Sequence, residues 1–85
     1  MLIMNLMFRP PFRKLVKKQS RPFQLVIEDE VGNIQNEPDI GEAKKVDLSG
    51  LRVHKFKFKG QQFLIAYLFE KNSIILYMIG RHENF

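Results

Sequence analysis

The chain has no cysteine, and its only histidines are His54 and His82. Without cysteine it can form neither a disulfide framework nor a thiolate metal site, and two histidines are too few for a convincing zinc centre. No apolar run approaches the ~18 residues that a membrane-spanning helix requires. We therefore expect a cytoplasmic protein that uses no metal and no cofactor and has no membrane partner.

The length of 85 residues sets a second limit, because so short a chain buries only a modest part of its surface. We interpret residues 1–85 as one domain with one small core. The apolar stretch 1–8 has no basic residues before it and is followed directly by Arg9 and two prolines, which is unlike a secretion signal. We predict a strand there.

Bases outnumber acids, with 14 Lys and Arg against 9 Asp and Glu, and the net charge is +5. The bases cluster in residues 9–21 and 55–59, whereas most acids lie in residues 28–47. A basic surface of this kind favours an anionic partner, either nucleic acid or an acidic protein.

Helical spacing marks the first half of the chain. Residues 4–8 are predicted to form an opening strand that two consecutive prolines end, and residues 12–18 fit a short basic amphipathic helix. Ser20 fits the N-cap of a second helix. The buried stripe of that helix is predicted to be Phe23, Val26, Ile27, Val31 and Ile34. Residues 35–50 contain proline and glycine and are predicted to form a connecting loop.

Beyond Gly50 the apolar period changes from 3.6 to 2. Three strands are predicted, over residues 52–59, 62–70 and 73–79, joined by two-residue turns at Lys59-Gly60 and Lys71-Asn72. The third strand is apolar on both faces, which is typical of a central strand. We therefore predict an α+β fold in which the N-terminal strand and two helices pack on one face of a mainly antiparallel four-stranded sheet. Its opposite face is expected to stay at least partly open.

The first of these strands alternates lysine with phenylalanine. Lys55 and Lys57 are predicted to stand on the face that Phe56 and Phe58 do not occupy. Two ammonium groups there can hold a phosphate, and RNA cleavage needs a proton acceptor for the 2′-hydroxyl, positive charge on the phosphorane and an acid for the leaving oxygen. The alternative is that the lysines only solvate an exposed face.

Other polar side chains have two readings each. His54 points away from the lysines and is interpreted as a half-buried histidine bonded to backbone, and Arg52 as a partner for a loop acid such as Asp47. Tyr67 is either a core residue with a satisfied hydroxyl or part of the groove. His82 follows the last strand, where an imidazole can exchange protons near neutral pH or can simply be exposed to solvent.

The turn-joined strands, the lead-in at residues 41–56 and the closing sequence GRHENF resemble the RelE/ParE superfamily of small bacterial toxins from toxin–antitoxin modules, over roughly residues 38–85. The resemblance implies an mRNA endoribonuclease that works on the ribosome and inhibits translation. It implies catalytic roles for Lys55 and Lys57 in stabilising charge or taking a proton, for Arg81 as a phosphate clamp and for His82 as an acid. The RNA contacts that it implies are His54, Lys59, Phe85, Lys14, Lys17 and Lys18.

The resemblance also implies partners: mRNA, ribosomal RNA and a cognate antitoxin whose acidic tail wraps around the toxin. Two alternatives stay open, a ParE-like poison of DNA gyrase without catalysis and a toxin remnant that only binds antitoxin. Relatives often continue past Phe85 with a tyrosine, and many carry an arginine on the middle strand, where this chain has residues 63–67 without a base. The phenyl ring of Phe85 can stack on a base but cannot transfer a proton.

Overall fold

The computed structural model describes residues 5–43 and 51–82. Its elements are, in chain order, β1 (Asn5–Phe8), α1 (Pro10–Lys17), α2 (Arg21–Asn36), a 3₁₀ turn (Pro38–Ile40), β2 (Glu42–Ala43), β3 (Leu51–Phe58), β4 (Gln61–Glu70) and β5 (Ser73–Arg81). No helix in these two ranges is both long and apolar enough to cross a membrane.

The strands form one sheet in the order β1-β5-β4-β3-β2, in which β1 runs parallel to β5 and the other neighbours are antiparallel. Both helices pack on one face of this sheet. The predicted α+β fold, the mainly antiparallel sheet and the interior position of β5 are confirmed. The segment predicted as a loop over residues 35–50 needs correction, because α2 extends into it and it carries the 3₁₀ turn and the two-residue β2.

The helices begin where local chemistry favours it. Proline occupies the first positions of α1, where a missing N–H costs no hydrogen bond, so this helix starts two residues before the predicted one. The Ser20 hydroxyl accepts a hydrogen bond from the Phe23 amide at 3.4 Å, which confirms the predicted N-cap of α2. Val26 is only partly buried, while the buried positions of α2 recur at helical spacing and confirm the other four residues of the predicted stripe: Phe23, Ile27, Val31 and Ile34.

Both predicted two-residue turns are present. Lys59 and Gly60 have φ values of 50° and 78°, the left-handed conformation that matches the twist of a tight hairpin. Because this turn is so short, it fixes the pairing of β3 with β4 and sets Lys57 opposite Gln62. The second turn connects β4 to β5, with Lys71 at a φ of 50°.

A β-bulge interrupts the pairing of β4 with β5. Ala66 pairs with Met78, but the next residue, Tyr67, pairs with Leu76, so that Tyr77 is an extra residue in β5. Beyond a bulge the side chains of a strand change face, which is how Leu76 and Ile79, an odd number of residues apart, both enter the core under the helices.

The hydroxyl of Tyr67 connects the sheet to the segment after α2. It donates to the carbonyl of Pro38 at 2.5 Å and accepts from the amide of Gly41 at 3.0 Å, which confirms Tyr67 as a core residue with a satisfied hydroxyl. A Cβ atom on Gly41 would lie 2.7 Å from the Tyr67 oxygen, so only glycine fits there. Arg52 donates to the carbonyl of Gly41 at 2.7 Å, while its predicted partner, Asp47, lies outside the described residues.

We expect Tyr67→Phe to lower the free energy of unfolding by about 1–3 kcal/mol, because the Gly41 amide and the Pro38 carbonyl lose their partner. Urea denaturation at neutral pH measures this. Tyr77→Phe is the matched control and should cost less. Equal losses in the two variants would contradict the assigned role of the Tyr67 hydroxyl.

Burial raises the pKa of Tyr67 above its usual value of 10.0. The folded state therefore holds this proton more tightly than the unfolded state, and the resulting stabilisation is complete below about pH 10 and is lost as the pH rises through the folded pKa. The stability difference between wild type and Tyr67→Phe should thus narrow above pH 10 in denaturation curves. A difference that stays constant to pH 11 would contradict this expectation.

Candidate nucleic-acid interface

Two exposed lysines stand on the sheet face opposite the helices. Phe56 enters the core, and its neighbours Lys55 and Lys57 alternate to the other face, as predicted. We call this face, on which Lys55, Lys57 and their cross-strand neighbours lie, the lysine face. Lys55 is opposite Leu64, and Lys57 is opposite Gln62.

The lysine face has an apolar floor. Val53, Leu64 and Ala66 belong to it by register and expose 9% of their surface or less. Gly80, opposite Leu64, adds no side chain to the same row. A charge pair beside such a floor is less screened than one surrounded by water, so the attraction of an ammonium group to a phosphate is strengthened there.

Gln62 is a candidate site residue that the sequence interpretation missed. Its amide lies in the same row as Lys57 and can both donate and accept a hydrogen bond. The sequence feature that could have identified Gln62 is the two-residue turn at Lys59 and Gly60, because a hairpin this tight pairs Lys57 with Gln62.

The bulge at Tyr77 decides on which face of the sheet Arg81 lies at the end of β5. A regular register would set Arg81 opposite Gln62, but the bulge sets Arg81 opposite Phe63, whose ring packs against the core. His82 follows directly after the end of β5 and is exposed.

The side chain of Arg81 therefore leaves the backbone on the helix side of the sheet. It lines a cavity of about 490 Å³ together with Phe58, Phe63 and Ser20. Its side chain thus projects from the face opposite Lys55 and Lys57, and the role of Arg81 as a phosphate clamp stays a prediction. The side chain is exposed at the end of the sheet, where it can contact a neighbouring phosphate.

His54 has a structural partner. Its Nε2 lies 2.6 Å from Oε1 of Glu30 on α2, and the residue is only 8% exposed. The sequence was interpreted as giving a half-buried histidine bonded to backbone, whereas the residue is buried and its partner is a carboxylate. The predicted RNA contact of His54 is not supported, because the ring faces α2 and is covered by it.

The remaining predicted RNA contacts fall into three places. Lys14, Lys17 and Lys18 are exposed on or just after α1, in the helical layer and thus across the sheet from the lysine face. Lys59 lies in the tight turn, with Nζ 5.4 Å from the ring centre of Phe58. Phe85 lies outside the described residues. The structure brings together Lys55, Lys57 and Gln62, and it separates them from the lysines of α1.

Comparisons with known proteins give one family and one fold. Residues 6–85 match the family model described as ParE-like toxin of type II bacterial toxin-antitoxin system. No curated protein sequence matches the chain.

Solved structures share the fold at low sequence identity. A chain of the intact Escherichia coli RelBE toxin–antitoxin complex is similar with a TM-score of 0.74 and 13% identity, covering 92% of this chain and 95% of that one. The isolated E. coli RelE toxin gives 0.72 and 15%, covering 92% and 83%. A chain of the RelBE2 complex from Mycobacterium tuberculosis gives 0.69 and 17%, covering 96% and 94%.

The pair formed by His54 and Glu30 should contribute to stability and not to RNA affinity. We expect Glu30→Ala to lower the free energy of unfolding by about 1–3 kcal/mol, because a buried polar ring loses its partner. Adding His54→Ala to Glu30→Ala should cost less than His54→Ala alone, which a double-mutant cycle in urea measures. A His54→Ala protein of unchanged stability that binds RNA more weakly would contradict this role.

Proposed function

This chain belongs to the ParE-like toxins of type II bacterial toxin–antitoxin systems, and from that premise we propose that it is an mRNA endoribonuclease that acts on the ribosome in the bacterial cytoplasm and so inhibits translation. The observation that carries the proposal is the lysine face. Lys55 and Lys57 are exposed at alternate positions of β3, and Gln62 of β4 is paired with Lys57.

The spacing of the two lysines suits one phosphodiester. Alternate residues of a strand lie about 7 Å apart, so two lysine side chains can approach one phosphate from both sides. Gln62 can bind a further phosphate or ribose oxygen from the neighbouring strand. Electrostatic stabilisation of this kind acts where negative charge develops in the transition state.

The proposed reaction is an intramolecular transesterification of the RNA phosphodiester. The ribose 2′-oxygen forms a bond to the adjacent phosphorus while the bond from phosphorus to the 5′-oxygen of the next nucleotide breaks, which leaves a 2′,3′-cyclic phosphate. Lys55 and Lys57 are the groups that take the 2′-hydroxyl proton and neutralise the charge of the phosphorane. His82, exposed beyond β5, donates a proton to the departing 5′-oxygen. Arg81 holds a flanking phosphate at the end of the sheet.

The two basic surfaces have separate tasks in this proposal. The exposed lysines of α1, Lys14 and Lys17, lie across the sheet from Lys55 and Lys57, so one RNA strand in the cleavage site does not reach them directly. They are suited to bind phosphates of ribosomal RNA, while the lysine face takes the mRNA. An antitoxin is the expected protein partner, since two of the similar structures are toxin–antitoxin complexes and this chain carries a net charge of +5.

The double variant Lys55→Ala/Lys57→Ala should lose RNA cleavage by at least about 100-fold, because the groups that take the 2′-hydroxyl proton and neutralise the phosphorane are removed. Primer extension on mRNA in programmed ribosomes, with naked RNA in parallel, measures this. Lys71→Asn is the matched control: it removes one exposed lysine at the other end of the sheet and keeps a residue that accepts a positive φ.

The same assay separates the proposal from its alternatives. Wild-type cuts in the ribosome reaction that disappear in the double variant and persist in Lys71→Asn are the expected result. Unchanged cleavage in the double variant would overturn the assignment of both lysines. No cleavage by wild type, together with inhibition of DNA gyrase, would overturn the nuclease itself.

His82→Ala should slow cleavage by about 100-fold if His82 is the acid for the leaving oxygen. A substrate in which sulfur replaces that 5′-oxygen should restore most of the lost rate, because a thiolate leaves without a proton. Single-turnover rates on the two substrates measure this. An equal loss on both substrates would contradict the role of His82 as an acid.

A further inference from the structure

A partly exposed aromatic side chain lies at the bulge in β5. Tyr77 is the extra residue there and follows Leu76, which is buried under the helices, so by alternation its side chain lies on the lysine face. Met78 belongs to the same face, because it pairs with Ala66 and precedes the buried Ile79. The bulge thus turns two consecutive side chains to one side of the sheet, a tyrosine and a methionine that is 44% exposed.

Arg9 approaches the ring of Tyr77 from the end of β1. It follows Phe8, which packs beside Phe12 on the helix side, and its amide donates to the carbonyl of Leu76 at 2.9 Å. The guanidinium carbon lies 5.6 Å from the centre of the Tyr77 ring, within the range of a cation–π contact. Arg9 is the N-cap of α1, but its side chain makes no capping hydrogen bond, so the helix begins without help from this guanidinium.

The two tyrosines of the sheet have different surroundings. Tyr67 is fully buried, and its hydroxyl is bound by Pro38 and Gly41. Tyr77 lies outside the core, and within the described residues its side chain makes one contact with a charged or aromatic group, that with Arg9. A ring at the surface of a strand, with a cation beside it, has the chemistry that nucleic-acid-binding sheets use to stack bases.

The pair formed by Arg9 and Tyr77 lies near the candidate cleavage site. Lys55, Leu64 and Gly80 share one row across β3, β4 and β5, and Tyr77 lies three residues before Gly80. With about 4.8 Å between strands and about 3.3 Å between residues, the backbone of Tyr77 is about 12 Å from that of Lys55. A single strand of RNA spans this distance in a few nucleotides, so a strand whose phosphate lies at the lysines can also reach the tyrosine.

We propose that Arg9 and Tyr77 form a second nucleotide-binding subsite on the lysine face. The ring of Tyr77 stacks on a nucleobase of single-stranded RNA, and Arg9 pairs with a phosphate next to that base. The subsite holds the strand a few nucleotides from the cut and requires no particular sequence, because every base has a π-face. The proposal rests on the proposed function in taking as its ligand the RNA that lies on Lys55 and Lys57.

Two variants of Tyr77 separate stacking from packing. The probe is a short fluorescein-labelled RNA whose 2′-hydroxyls are methylated, so that it binds without being cleaved, and fluorescence anisotropy measures its affinity. Tyr77→Leu should bind this RNA about 10-fold more weakly than wild type, because leucine keeps an apolar side chain but cannot stack on a base. Tyr77→Phe keeps the ring and should bind about as wild type does.

Probe RNAs that lack the base at one position at a time locate the subsite. Removing the base that stacks on Tyr77 should weaken binding of the wild type by about 10-fold and leave binding of Tyr77→Leu nearly unchanged, so the two changes are not additive. Removing any other base should affect the two proteins equally. A role of Tyr77 in folding alone would give no such coupling to a single position.

Arg9→Gln should weaken binding and reduce the magnitude of the slope of log affinity against log salt concentration by about 0.7, the contribution of one phosphate contact in a single strand. Arg13→Gln is the matched control, because it removes the same charge from an exposed position of α1, in the helical layer. The control should leave this slope nearly unchanged.

Several results would overturn the subsite: no binding of the RNA by wild type, equal affinity of wild type and Tyr77→Leu, an equal loss in Tyr77→Phe and Tyr77→Leu, or an equal change of slope in Arg9→Gln and Arg13→Gln. The subsite and the proposed function fail separately. A protein that binds the RNA through Tyr77 but cuts no mRNA on ribosomes would overturn the nuclease alone. Ribosomal cleavage by wild type, together with unchanged RNA affinity and cleavage in Tyr77→Leu, would overturn the subsite alone.

Discussion

Every side chain of the candidate cleavage site takes its position from the pairing of β4 with its two neighbours. On one side, the two-residue turn at Lys59 and Gly60 leaves a single register, in which Lys57 faces Gln62. On the other side, the extra residue Tyr77 shifts the end of β5 by one position. A slip of one residue in either pairing would exchange the faces of the sheet and move the chemistry to the side that the helices cover.

The helical layer makes this arrangement possible by occupying only one face. Phe23 of α2 stacks on Phe58 with ring centres 4.6 Å apart, and His54 reaches Glu30, so β3 is attached to α2 at two points. These contacts involve Phe58 and His54, which point to the face of β3 opposite Lys55 and Lys57. The same layer leaves its own surface between α1 and α2, where Gly32 lines a groove. The molecule thus carries a cationic sheet face and an apolar groove between α1 and α2 on opposite sides.

Periodicity in the sequence was enough to predict the fold and the alternation of Lys55 and Lys57, because the lysines alternate with Phe56 and Phe58 at a period of two. It could not reveal the bulge, since β5 is apolar on both faces, and for this reason the face on which Arg81 lies could not be predicted. Periodicity could not predict the partner of His54 either, because Glu30 lies 24 positions away in the sequence. The position of Gln62 opposite Lys57 was not predicted, although the two-residue turn at Lys59 and Gly60 implied this pairing.

The central claim, that RNA lies on the lysine face with its phosphate between Lys55 and Lys57, is tested most directly by NMR of the protein with a single-stranded RNA whose 2′-hydroxyls are methylated. Such an RNA binds but cannot attack its own phosphate. The account predicts that the lysine side-chain signals of Lys55 and Lys57 and the side-chain amide of Gln62 shift together on titration, and that the side-chain signals of Glu30 and His54 do not. Shifts confined to α1 and α2, with the three side chains of the lysine face unaffected, would contradict it.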